Sequence, residues 1–162
     1  MESIIIFFGT KGHLVVIGGA LLALALVTTE QRIALLHKTL IALPLAFLTG
    51  RLLTLFIESP RPFVVENVTP LINHVADNGF PSEHTLLVAT IALLIYMEHK
   101  TIGVLLVVIA ILVGLARVFA KVHHSIDISG SIVIAIISVA LARIGVQWLR
   151  KRCGGVLPLF SK

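Results

Sequence analysis

Five apolar runs, each close to the length of a bilayer crossing, decide what this 162-residue chain can fold into. They extend from about His13 to Thr29, Ile33 to Ile57, His84 to Met97, Ile102 to Ala120 and Ile128 to Leu149. A helix needs about 20 mostly apolar residues to cross the hydrocarbon core. The third run is short and is expected to borrow its first turn from the segment before it. Hydrophobic residues make up 57% of the chain and charged residues 13%, against roughly 25% charged in a soluble domain. With a mean hydropathy of +1.06, the main solvent is lipid. A helix satisfies its own backbone N–H and C=O groups there. The expected fold is therefore all-α: a polytopic transmembrane helical bundle of about five spanning helices, forming one membrane-embedded domain over residues 1–162. Residues 2–10 either begin the first span, through Ile4–Phe8, or form a short interfacial helix that brings the count to six.

The connection from Glu58 to Glu83 is the longest non-apolar stretch. It holds Pro60, Pro62, Pro70, Gly79 and Pro81, so it is not one continuous helix. Loops of that length in a compact domain are usually functional or disordered. The other connections are short: Thr28–Arg32, Glu98–Thr101 and the region of Lys121–Ser125. With five spans, the first two of these share a side with the C-terminus. That side carries Arg32, Lys38, Lys100, Arg150, Lys151, Arg152 and Lys162. The opposite side carries Lys11, Arg61 and Lys121 and most of the acids: Glu2, Glu58, Glu66, Asp77, Glu83 and Asp127. The Lys/Arg bias puts the first side and the C-terminus in the cytoplasm. The protein is thus expected to be a multi-pass protein of the plasma (inner) membrane, with the proline-rich loop and the Lys121 region together on its outer face.

The net charge of +5 follows from this placement. The basic residues form no stripe with interleaved aromatics, so no nucleic-acid partner is expected. Cys153 is the single cysteine, so no intrachain disulfide forms. The N-terminal segment lacks a basic n-region and a small-residue cleavage site after Phe8; it is expected to stay in the mature protein.

Three segments on the outer face carry the residues capable of chemistry: Glu58–Phe63 with Arg61, Phe80–Thr85 with Ser82, Glu83 and His84, and Arg117–Asp127 with His123 and His124. His123 and Asp127 are four apart, so on a helical turn they share a face. A carboxylate there fixes the imidazole tautomer and leaves the other ring nitrogen as nucleophile or base. Arg117, near the outer end of the fourth span, offers a planar fork of donors to a phosphate, and Arg61, held between two prolines, offers a second. Ser82 is placed to N-cap the third span, whose first turn then presents free N–H groups to an anion. His84 in that turn is placed to protonate a leaving oxygen. Phosphoryl transfer needs this inventory of charge stabilisation, nucleophile and acid.

Each element alone has a plainer reading. Pro-Ser-x-His is compatible with a simple helix cap. Arg61 and Arg117 are compatible with snorkelling interface anchors. A lone His–Asp pair at helical spacing is more often structural or a weak metal site; adjacent histidines on a helix point about 100° apart, which counts against a metal held by His123, His124 and Asp127. The ordered conjunction of all three on one face is what points to catalysis.

These residues resemble the type 2 phosphatidic acid phosphatase superfamily, which includes bacterial lipid phosphatases and vanadium haloperoxidases. Arg61-Pro62, Pro81-Ser82-Glu83-His84 and Arg117, His123 and Asp127 match its three motifs in order and spacing, over about residues 45 to 140. The sequence departs where the family has Lys (Thr54), Gly (Glu83) and Ser (Ala116). Arg51, about one turn from Thr54, is a candidate replacement for the Lys. The strings around Thr54 and Glu83 look like the undecaprenyl diphosphate phosphatases of the bacitracin-resistance type, which carry Thr at the Lys position and an acid inside Pro-Ser-x-His.

The resemblance implies that His123 attacks phosphorus and forms a phosphohistidine. It implies that Asp127 orients His123, and that His84 protonates the leaving group and then activates water. Arg61, Ser82 and Arg117, with backbone N–H groups near His84, then hold the phosphate, with Glu83 and Thr54 beside them, and no metal or other cofactor is needed. The implied substrate is undecaprenyl diphosphate in the bilayer. The alternatives are another lipid phosphate (phosphatidylglycerol phosphate, phosphatidate or a lipid A phosphate) or, from a different class, a non-enzymatic polyprenyl phosphate carrier.

Overall fold

The computed structural model describes residues 1–153; Lys162 and the rest of the C-terminal segment from residue 154, part of the expected single domain and of the cytoplasmic charge, lie outside the described residues. Six helices form: α1 (Glu2–Leu26), α2 (Thr29–Leu53), α3 (Pro62–Val65), α4 (Glu83–Glu98), α5 (Lys100–Phe119) and α6 (Ser125–Cys153). Among the described residues there is no strand, only an isolated bridge between Pro60 and Asn78. The chain is an all-α polytopic membrane bundle.

Four helices, α1, α2, α5 and α6, are each long and apolar enough to cross a membrane. The third run becomes α4, which has only 16 residues. It sits at the centre, packed against α1, α2, α5 and α6. Its Val88, Ala92, Leu94 and Ile95 join Val16, Ala23, Leu35, Ala42, Leu106, Val113 and Val139 in the main core. The surrounding helices leave Leu40, Leu105 and Ile144 exposed, as lipid-facing surfaces require. Because successive long helices alternate in direction, the starts of α1, α4 and α6 meet the ends of α2 and α5 at one end of the bundle.

The boundaries differ from the sequence-based ones for identifiable reasons. Residues 2–10 continue into α1 without a break, so no separate interfacial helix forms. Gly9 and Gly12 do not stop it; they let the side chains of Ile72 and Val113 approach. A Cβ on Gly12 would lie 2.5 Å from Cγ2 of Val113. The sixth helix is instead α3, one turn inside the long connection, with Pro62 at its first position, where a missing N–H does no harm. α2 starts at Thr29 rather than Ile33. Thr28 and Gln31 make a reciprocal capping box, so the segment read as a connection is the helix start. His99 Nδ1 accepts from the Ile102 N–H at 3.4 Å, and the α4–α5 connection shrinks to that residue.

At the end of the bundle away from the three motifs, Lys38 pairs with Glu98. Gln31 Nε2 also donates to the Glu98 carbonyl at 3.5 Å. These contacts tie α2 to the C-terminal end of α4. Nearby, a Cβ on Gly103 would lie 2.2 Å from the Cα of Tyr96, so the tight α4–α5 turn depends on glycine. Gly103→Ala is expected to destabilise the bundle by about 1–3 kcal/mol, read as a lower melting temperature in detergent; an unchanged melting temperature would refute the close approach.

Candidate active site

The long connection is a folded structure, and Asn78 organises it. Its Oδ1 accepts from the backbone N–H groups of Ser59 at 3.0 Å and Phe80 at 3.1 Å. Its Nδ2 donates to the Ile57 carbonyl at 2.7 Å. The Gly79 N–H then donates to the Ser59 carbonyl at 2.8 Å. These bonds bring Ser59 and Arg61 beside the start of α4.

His123 lies in the turn between α5 and α6, and Asp127 in the first turn of α6. The expected contact between them is present: His123 Nδ1–H donates to Asp127 Oδ2 at 3.3 Å. The carboxylate is fixed from two further directions, by the Ser59 hydroxyl at 2.7 Å and the His124 N–H at 2.8 Å. Asp127 is fully buried and His123 is 2% exposed. His124 turns away, with Nε2 donating to the Pro60 carbonyl at 3.0 Å.

The other ring nitrogen of His123 faces both arginines. Nε2 lies 3.2 Å from Arg61 Nη1 and 3.3 Å from Arg117 Nη2. Arg61 is held by Asp77, which accepts from its Nε at 2.7 Å, and by the Val122 carbonyl, which accepts from Nη1 at 2.7 Å. Arg117 donates from Nη1 to the Gly9 carbonyl of α1 at 3.0 Å, and its buried Nε has no partner. Two guanidiniums, both nearly fully buried, therefore converge on one imidazole nitrogen, with donor capacity left for an anion.

Burial pushes the His123 pKa below the ordinary histidine value; Asp127 opposes the shift, and the charges of Arg117 and Arg61 add to it. The ring thus stays neutral, with a lone pair on Nε2. Burial works to raise the pKa of Asp77, but its hydrogen bond and charge pairing with Arg61 prevail and hold it below the usual carboxylate range.

A cavity of about 130 Å³ opens in front of this cluster. It is lined by Arg61, Arg117, His123 and His84, by Thr54, Glu83 and Arg51, and by His74 and Asp77. Seven of the eight expected site residues thus line the cavity or, for Asp127, bond directly to a residue that does. Their details differ. Thr54 lines the cavity, but its hydroxyl donates to the Arg51 carbonyl at 2.6 Å. Glu83 is exposed at the rim, 3.8 Å from Arg51 Nη1, so the candidate replacement for the family lysine is present and paired with the motif acid.

Ser82, the eighth, is fully buried and holds the N-cap position of α4, but its side chain does not cap. Its hydroxyl accepts from Thr85 Oγ1 at 3.1 Å instead of from the backbone. The Ser131 hydroxyl lies within hydrogen-bond range of the Ser82 and Asp127 carbonyls, at 3.0 and 2.7 Å, which joins α4 to α6. The first-turn N–H groups of α4 remain without intrahelical partners.

Ser59, Asp77 and Asn78 were missed in the sequence, as were His13 and His74. His13 of α1 packs edge-on against His84, ring centroids 5.2 Å apart, and the ring of His74 lies 6.1 Å from that of His123. All are polar residues in a long loop or an apolar run. Nothing local marks them, since their partners are distant in the chain.

The family model described as "PAP2 superfamily" matches residues 35–151, and the chain belongs to that superfamily. It is 35% identical over 112 residues to the "bacitracin transport permease protein BcrC" of Bacillus licheniformis, covering 68% of this chain and 55% of that one. It is 34% identical over 138 residues to the "undecaprenyl-diphosphatase BcrC" of Bacillus subtilis strain 168, covering 85% and 70%. The solved structure of LpxE from Aquifex aeolicus is similar at a TM-score of 0.70 and 26% identity, covering 87% of this chain and 84% of that one. The chain spans between 55% and 70% of the length of these two curated relatives.

Two outcomes follow from the geometry. If a neutral His123 is required for activity, its protonation sets the acid limb of the rate. Because its pKa is lowered, kcat/KM should hold as pH falls through 6.5 and decline only below it; a limb at or above 6.5 would contradict this. A Cβ on Gly79 would lie 2.9 Å from Asp127 Oδ2 and 3.0 Å from the Ser59 carbonyl. Gly79→Ala should therefore lower kcat by roughly 10-fold or more, as small misplacements in a site do, with helical content by circular dichroism unchanged.

Proposed function

We propose that the protein is an integral membrane phosphatase that removes the terminal phosphate of undecaprenyl diphosphate, leaving the monophosphate. The observation that carries this reading is the convergence of Arg61 and Arg117 on Nε2 of His123, whose Nδ1 rests on Asp127. A terminal phosphate taking the arginine donors would lie directly against a neutral nucleophile. Nε2 attacks phosphorus, the P–O bond to the lipid monophosphate breaks, and a phosphohistidine forms. Asp127 stabilises the charge that develops on the ring. His84 gives a proton to the departing oxygen, then takes one from the water that hydrolyses the phosphohistidine to inorganic phosphate. Arg61, Arg117 and the first-turn N–H groups of α4, set by Ser82, hold the equatorial oxygens.

Substrate choice rests on the family relatives and on the rim. The name of the B. subtilis relative gives it as an undecaprenyl-diphosphatase. Arg51 and Glu83, with Thr54 beneath them, stand at the mouth of the cavity, where the second phosphate of a diphosphate would lie. The Lys/Arg bias supports a reading with this end of the bundle on the outer face of the plasma membrane and the C-terminus in the cytoplasm.

A carrier reading is favoured by one observation, the permease name of the B. licheniformis relative. Against it, the Arg–His–Asp cluster lies at one end of the bundle, and Lys38, toward the far end, is already paired with Glu98.

The test is phosphate release from undecaprenyl diphosphate by the purified protein in detergent with EDTA, beside phosphatidate and phosphatidylglycerol phosphate. Release is expected, inhibited by vanadate, and lowered at least about 1,000-fold by His123→Ala or His84→Ala, as loss of a nucleophile does elsewhere. Preference for a glycerolipid monophosphate would replace the substrate. Tight lipid binding without hydrolysis would establish the carrier.

A further inference from the structure

The two histidines of the site are supported unequally. His123 has a carboxylate that is itself held by two other donors. His84 makes no hydrogen bond among the described residues. The ring contact it does make is the edge-to-face packing of His13, at 5.2 Å between centroids and 78° between planes. Offset and edge-on ring pairs of this kind have a preferred geometry, so they fix orientation as well as fill space.

His13 is itself unusual. It sits in an apolar spanning helix, and its buried Nδ1 has no hydrogen-bond partner among the described residues. Leaving a ring nitrogen unpaired in that way is unfavourable, so packing alone does not account for a histidine there. One turn earlier on the same helix, the Gly9 carbonyl holds Arg117. The same stretch of α1 therefore touches two of the site's groups, although α1 lies outside the residues that the family model matches.

We propose that His13 is a positioning residue for His84: its ring holds the His84 imidazole in the plane from which it delivers a proton to the leaving oxygen. The inference rests on the phosphatase reading above. Removing His13 should impair leaving-group protonation more than nucleophilic attack. The defect should then grow as the leaving group becomes more basic.

The experiment compares kcat/KM for phenyl phosphate and 4-nitrophenyl phosphate, in the full chain in detergent. This ratio reports only the steps up to phosphoryl transfer, and 4-nitrophenolate departs with far less need of a proton. Phosphate release from undecaprenyl diphosphate by the unaltered protein tests the phosphatase reading itself, whereas the comparison between the two soluble esters, turned over more slowly, tests His13. His13→Ala is expected to lose at least 10-fold more activity on phenyl phosphate than on 4-nitrophenyl phosphate. His13→Phe, which restores a ring edge, is expected to recover most of that difference and guards against a misfolded alanine variant. Equal losses on the two substrates, no loss on either, or a phenylalanine variant as selective in its defect as the alanine one would overturn the proposal.

Discussion

Two buried guanidinium groups aimed at one imidazole nitrogen are the arrangement on which the rest of the site depends. Arg61 and Arg117 repel one another, and neither is well solvated. The fold tolerates the pair by giving each a hydrogen-bond acceptor from behind. Asp77 takes Arg61, the Gly9 carbonyl takes Arg117, and Asp127 lies on the far side of His123. Such convergence is unfavourable when empty and is relieved by an anion. Preorganisation of this kind lets charge stabilisation act without reorganisation at the moment of reaction.

Holding the pair requires contributions from the whole bundle. α1 supplies a carbonyl, the loop after α2 supplies Ser59 and Arg61, α5 supplies Arg117 and α6 supplies Asp127. Asn78 is the piece that makes a loop behave as a scaffold, because its amide satisfies backbone groups on both sides of the turn. The small residues Gly79 and Gly130 let the loop lie close to α6; a Cβ on Gly130 would meet the Phe80 ring at 2.3 Å. The ordering of this connection follows from those bonds.

Much of this was legible in the sequence. Apolar run length announced the helices, and the spacing of His123 to Asp127 announced their contact, because both depend on local periodicity. The capping box at Thr28 and Gln31 is also written locally, yet apolar run length alone starts α2 at Ile33, four residues late. The second layer of the site was not legible. The pairing of Ser59 with Asp127 spans 68 residues and that of Arg117 with Gly9 spans 108, and no periodicity encodes such partners. Ser82 shows a different limit. Its place at the helix start was correct, yet a neighbouring hydroxyl, that of Thr85, took the acceptor that a cap would have used.

The brevity of α4 bears on how a lipid meets this site. At 1.5 Å per residue its 16 residues rise only about 24 Å, less than the ~30 Å hydrocarbon core. Its neighbours, of 20 to 29 residues, are longer. α1 runs on past that start, from His13 beside His84 out to Glu2, so the free N–H groups of α4 lie below the tip of α1. A headgroup anchored by long apolar chains can reach that depth by sinking along the bundle while its tail stays in oil. A water-soluble phosphate must instead descend to it from the aqueous side. On the phosphatase reading, the short central helix sets the phosphate at a depth that an ester already held in the membrane reaches without leaving it.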